Sequence, residues 1–94
     1  MTYYSCDFET TTNKSDCRVW AFGACNIYNL NDFYYGLSIE DFIEWCKLLP
    51  DATTKLYFHN LKFDGEFIIS WLLRNNYKCI KNTNELDGKS FNIL

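Results

Sequence analysis

Tyr4-Ser5-Cys6-Asp7-Phe8-Glu9-Thr10 decides how the chain folds, and Tyr57-Phe58-His59-Asn60-Leu61-Lys62-Phe63-Asp64 answers it further on. The first stretch alternates apolar and polar residues from Tyr4 to Phe8, the period of a β-strand with one buried face. Successive strand side chains point to opposite faces, so Asp7 and Glu9 share one face and Cys6 and Phe8 the other. Two residues of strand rise set the carboxylates roughly 6.6 Å apart at the backbone, within reach of one divalent cation. The second stretch closes on a third carboxylate, Asp64, at an expected helix start, where the helix dipole favours a negative charge.

Working outward, Thr10 to Asp16 is polar and turn-like, and Arg18 to Ile27 reads as a long second strand. Asn29 to Asp32 is a turn cluster, followed by a short third strand, Phe33 to Gly36. Short turns between consecutive strands favour an antiparallel meander. Ser38 is placed to cap a helix, with Asp41 as the acid of a weak capping box. Ile39, Phe42, Ile43, Cys46 and Leu49 then recur at helical spacing until Pro50 ends the run. Lys55 to His59 is a fourth strand reached only after that helix, the mark of a parallel crossover. A second helix is expected from Leu61–Asp64 to about Asn75, with Phe63, Phe67, Ile68, Trp71 and Leu72 as its apolar stripe. Tyr77 to Ile80 reads as a fifth strand, Asn82 to Gly88 as a turn, and Ser90 to Leu94 as a sixth strand. The order predicts an α/β fold, a mixed sheet with the first strand central.

Composition bounds the function. Ninety-four residues make one small domain, and 48% hydrophobic with 19% aromatic residues is a packed composition rather than a disordered one. No apolar run reaches the ~20 residues of a membrane span and no signal peptide is visible, so no membrane role and a cytoplasmic location are expected. Five scattered cysteines without a C-x-x-C pair argue against zinc and for buried, reduced thiols. The net charge of −3 argues against a module that holds DNA by electrostatics alone. It suits carboxylates gathered around a cation.

Magnesium prefers hard oxygen ligands, which makes Asp7, Glu9 and Asp64 a candidate set. A D-x-E on a strand is also common as a solvated face, and a lone Asp64 as a helix cap. Asn60 can donate and accept hydrogen bonds beside such a site. Phe63 and Phe67, four residues apart, can stack bases or simply fill the core. His59 reads equally as a hydrogen-bonded strand histidine. Thr10, Thr11 and Thr12 can touch a phosphate or finish the strand.

Residues 4–12, Tyr-Ser-Cys-Asp-Phe-Glu-Thr-Thr-Thr, closely resemble the first exonuclease motif of the protein-primed family B DNA polymerases of small tailed phages and related linear elements. Residues 56–65, Leu-Tyr-Phe-His-Asn-Leu-Lys-Phe-Asp-Gly, resemble their second. Cys17 to Ala21, Trp71 to Asn75 and Lys89 to Asn92 are similar as well, and the match runs over about residues 3 to 76. The resemblance implies a ribonuclease H-like fold and 3′-to-5′ proofreading of single-stranded primer ends by two-metal hydrolysis with Mg2+ or Mn2+. It implies Asp7, Glu9 and Asp64 as metal ligands, and Thr10, His59, Asn60, Phe63 and Phe67 as contacts to the 3′-terminal nucleotides of single-stranded DNA.

The family's third exonuclease motif, with a Tyr and a fourth Asp, has no counterpart in the sequence, nor do the polymerase motifs. Residues 1–94 are therefore expected to form a C-terminally truncated, partial exonuclease domain, its two-metal site incomplete and its activity weak or absent. The remainder of the polymerase chain or the terminal protein would be its partner in the parent enzyme. The alternative is a catalytically dead binding or regulatory module. Truncation is expected to expose apolar surface at Phe67, Trp71 or Tyr77 and to favour self-association.

Overall fold

The computed structural model describes residues 1–13, 15–79 and 90–91. Three strands open the chain: β1 (Thr2–Thr10), β2 (Val19–Asn26) and β3 (Asn29–Gly36). Helix α1 (Ile39–Lys47) leads through a 3-10 turn (Asp51–Thr53) to β4 (Thr54–Phe58), and helix α2 (Leu61–Arg74) follows. One four-stranded mixed sheet results, in the order β3-β2-β1-β4. β1 pairs antiparallel with β2 and parallel with β4, so it is central, as the order of elements predicts.

The fifth strand does not extend this sheet. β5 (Lys78–Cys79) instead pairs in parallel with β6 (Ser90–Phe91) as a separate two-stranded unit. The expected turn over Asn82 to Gly88 and the strand ends at Ile80 and beyond Phe91 lie outside the described residues.

The core follows the strand alternation. Tyr4, Cys6 and Phe8 of β1 are buried against Val19, Phe22 and Ala24 of β2 and Phe42, Ile43 and Trp45 of α1. Phe42 is the centre, 2% exposed, with the rings of Phe8, Phe22 and Phe58 at centroid distances of 4.9, 5.4 and 5.9 Å. Edge-to-face packing of this kind adds to the area buried. Trp45, absent from the expected stripe, belongs to the core because it meets Tyr4 edge-on at 5.1 Å. Ser38 caps α1 by accepting from the Asp41 backbone N–H at 3.1 Å. Asp41 returns a bond to the N–H of Leu37, at 2.9 Å, rather than to that of the cap residue itself. The buried Tyr4 hydroxyl donates to Asp32 Oδ2 on β3 at 2.9 Å, and Asn26 donates to the same oxygen at 3.1 Å.

Both helices cover one face of the sheet. Phe67 and Trp71, expected to be exposed, are half-buried against the core, and Tyr77 packs on Trp71 at 5.9 Å. Among the described residues the exposed aromatics are Trp20, Tyr28, Phe33, Tyr34, Tyr35, Tyr57 and, on α2, Phe63. The thiols also depart from expectation: Cys6 is buried and Cys46 half-buried, both pushed up to about 12 by burial, while Cys17 and Cys79 are exposed. No helix among the described residues is long and apolar enough to cross a membrane.

Candidate metal and single-strand site

The site is built where β4 ends. Its last residue pairs Phe58 with Cys6, so β1 runs on past β4 from Asp7 to Thr10 with that edge open. His59 and Asn60 turn the chain, and α2 begins at Leu61. The Asn60 carbonyl accepts from the N–H groups of Phe63 and Asp64, at 3.1 and 3.0 Å, and this fixes the first turn. Among the described residues no strand then separates Asp7 from the start of the helix.

On α2 the inward row is Asp64, Phe67, Ile68 and Trp71, spaced at helical intervals with the carboxylate at its head. Asp64 is 4% exposed, the one buried residue of the helix. The expected stripe began one residue early, at Phe63, which is 43% exposed instead. Burial raises the Asp64 carboxyl above its ordinary value, and the negative charge of Asp7 raises it further. The chain thus brings two carboxylates of distant sequence close enough to repel. Among the described residues the ion pairs are Arg18–Asp16 and Lys47–Glu44, so neither Asp7 nor Asp64 has a cationic partner.

Glu9 is exposed on the same strand face as Asp7. A break of register between Glu9 and Thr10 follows it, a bulge of the kind that re-aims side chains at a strand end. Among the described residues no three His, Cys, Asp or Glu side chains gather closely enough to hold an ion. The structure brings Asp7 and Asp64 together and leaves Glu9 beside them without completing a three-ligand cluster. A close pair of hard oxygen donors, one of them desolvated and unpaired, suits a small divalent cation of the magnesium type.

The remaining candidates surround the pair unevenly. His59 and Asn60 are exposed at the turn. Asn60 makes no side-chain capping bond, so its amide is not committed to the helix. Phe63 and Phe67 meet edge to face at 5.2 Å, Phe63 with part of its ring exposed and Phe67 packed on the core. Thr10 pairs with Val19 at the end of β1. Thr11 is structural: its hydroxyl donates to the Asp16 carbonyl and accepts from the Arg18 N–H at 3.0 Å, closing the β1–β2 connection.

On α2 the sequence carries no signal for Glu66, Ser70 and Arg74, which lie along one side of the helix with Phe63 and Phe67. Phe63, Glu66, Phe67, Ser70 and Arg74 line a groove of about 430 Å³, with Cys17, Arg18, Val19 and Ile39 as its other wall. Their spacing is helical, but mixed chemistry hid the row from a search for apolar periodicity. A smaller hollow of about 280 Å³ adjoins it, lined by Asn60, Lys62, Phe63 and Glu66.

Comparison with known proteins gives a consistent set of relatives. No family model matches the chain. The DNA polymerase of Bacillus phage phi29 is 55% identical over 75 residues, covering 80% of this chain and 12% of that protein. The DNA polymerase of Streptococcus phage Cp-1 is 38% identical over 95 residues, covering 89% of this chain and 17% of that protein. Among solved structures, phi29 DNA polymerase complexed with single-stranded DNA superimposes with a TM-score of 0.81 at 44% identity, covering 97% of this chain and 15% of that one. The orthorhombic form of the same polymerase gives 0.83 at 43% identity. The chain therefore spans less than a fifth of the length of each of these relatives.

Proposed function

This chain belongs to the protein-primed family B DNA polymerases of phages, and on that premise we propose that it carries the metal-binding and strand-binding part of a 3′-to-5′ proofreading exonuclease. In this reading residues 1–94 are part of an exonuclease domain with a ribonuclease H-like sheet, working in the host cytoplasm. Its partners are the 3′ end of single-stranded DNA and, in the parent enzymes, the remaining polymerase polypeptide or the terminal protein.

The observation that carries the reading is Asp64, a carboxylate buried at the head of a helix, beside Asp7 and, among the described residues, without a counter-charge. Burying one carboxylate near another is costly unless a cation offsets the charge. Asp7 and Asp64, with Glu9 adjacent, are the residues that would hold magnesium or manganese. Bound there, the metal would supply the chemistry of phosphodiester hydrolysis, an activated water and a stabilised leaving 3′ oxygen. The chain's own residues would orient the strand. Phe63 offers an open ring for stacking the terminal base. Asn60, His59 and Thr10 offer hydrogen bonds to the terminal nucleotides at the same end of the sheet.

One observation favours a second reading, a module that binds DNA or another partner without cutting. Only Asp7 and Asp64 are drawn together, and no third ligand joins them among the described residues. A single assay separates the two. A 3′-labelled single strand is incubated with magnesium or manganese and the chain, beside Asp7→Ala. Slow, metal-dependent label release that Asp7→Ala abolishes supports the exonuclease. Strand binding with no release supports the binding module. Release that persists unchanged in Asp7→Ala overturns the assignment of the site.

A further inference from the structure

We propose that the groove between α2 and the β1–β2 connection carries the sugar–phosphate backbone of the strand upstream of its terminal nucleotide, with Arg18 and Arg74 as its phosphate contacts. The inference rests on the strand-binding reading above and extends it to residues that reading does not use. The groove and the smaller hollow share Phe63 and Glu66, so they form one trough. It runs from Asn60, at the turn beside Asp64, along a helix of 14 residues to Arg74, a length of roughly 21 Å. Its far wall starts at Val19, which pairs with Thr10 at the end of the strand that bears Asp7 and Glu9. The trough therefore leads directly away from the carboxylates.

Its charge is unlike that of the chain. The net charge is −3, yet Lys62, Arg18 and Arg74 all line this one face. Among the described residues Glu66 is the one carboxylate that lines the trough, and it lies by Phe63, nearest the end that would hold a base rather than a run of phosphates. Arg18 is held, among the described residues, by an exposed pair with Asp16 at 3.4 Å, which is easily exchanged for a phosphate. Arg74 donates from Nε to the Ser70 carbonyl at 3.3 Å, which steadies the guanidinium, and among the described residues its two terminal nitrogens have no partner. A planar guanidinium fork matches a phosphate in two bonds, and two such forks on opposite walls fit a backbone threaded between them.

The test measures binding of oligothymidylates of two and eight nucleotides by fluorescence anisotropy, in chelator to prevent cleavage, over a range of salt. The proteins are the native chain, Arg18→Gln, Arg74→Gln, the double variant and Arg74→Lys. Removing each arginine is expected to weaken the eight-nucleotide strand by roughly 5- to 10-fold and to lower the salt slope by about 0.7. The dinucleotide should be unaffected, and Arg74→Lys should recover most of the slope. Wild-type affinity and slope in the double variant would overturn the groove while leaving the strand-binding reading intact. Equal weakening of both lengths would overturn the upstream placement. A native chain that binds neither strand would overturn both readings.

Discussion

Gly36→Ala should destabilise the protein, although backbone entropy alone argues for the opposite sign. Gly36 has no positive φ, so alanine can adopt its backbone conformation. A compatible Gly→Ala change normally adds about 0.4–1 kcal/mol by restricting the unfolded chain. Space decides otherwise. A Cβ on Gly36 would sit 2.5 Å from Phe22 Cε1 and 2.6 Å from Asp41 Cβ. Carbon atoms in ordinary contact are about 3.5–4.0 Å apart, so ~1 Å must be found on two sides at once. Phe22 is 4% exposed and held by Phe42 at 5.4 Å and Trp45 at 5.8 Å. Asp41 is tied through Ser38 and Leu37 into the start of α1. Overpacking costs about 1–3 kcal/mol and loosening a helix cap ~1 kcal/mol, so the net loss is about 1–3 kcal/mol after the entropic gain. For a domain of this size each kcal/mol is worth roughly 4–8 °C in Tm. Thermal unfolding followed by circular dichroism, native chain beside variant, measures it. A variant Tm equal to or above the native value would refute the close approach of β3 and α1 and the packing argument built on it.

Two further outcomes concern the site. Phe63→Ala should leave Tm nearly unchanged and weaken single-strand binding by roughly 10-fold, whereas Phe67→Ala should lower both; equal stability losses would show that both rings are core. Burial and Asp7 hold the Asp64 carboxyl above its ordinary value, so the folded chain binds a proton there more tightly than the unfolded one. Without metal, stability should therefore fall as pH rises from about 4 through the folded pKa, and Asp64→Asn should remove that fall. Melting temperatures from pH 3 to 8 in chelator check this, and parallel profiles for the two proteins would contradict it.

The central strand was legible because its alternation is strict: Tyr4, Cys6 and Phe8 point inward, and Asp7 and Glu9 follow on the other face. The crossover to β4 was legible because a helix intervenes between the strands. The tilt of α2 was not. Phe63, Phe67, Ile68 and Trp71 admit two rows one residue apart, and apolarity favours starting at Phe63. The fold starts at Asp64 instead, an inversion of the usual rule that a charged residue stays outside. The exposure of Phe33 and Tyr35 on β3 was equally hidden, since a short aromatic strand carries no sign of which face the helices cover. Trp45 entered the core through edge contacts with Tyr4 that no periodicity encodes.

The claim that Asp7 and Asp64 form a cation site is tested most directly by titrating the chain with Mn2+ and following bound metal by electron paramagnetic resonance. The expected result is saturable binding to the native chain that is lost in both Asp7→Ala and Asp64→Asn while each variant remains folded. Binding of equal strength in all three proteins, or none in the native chain, would contradict the account.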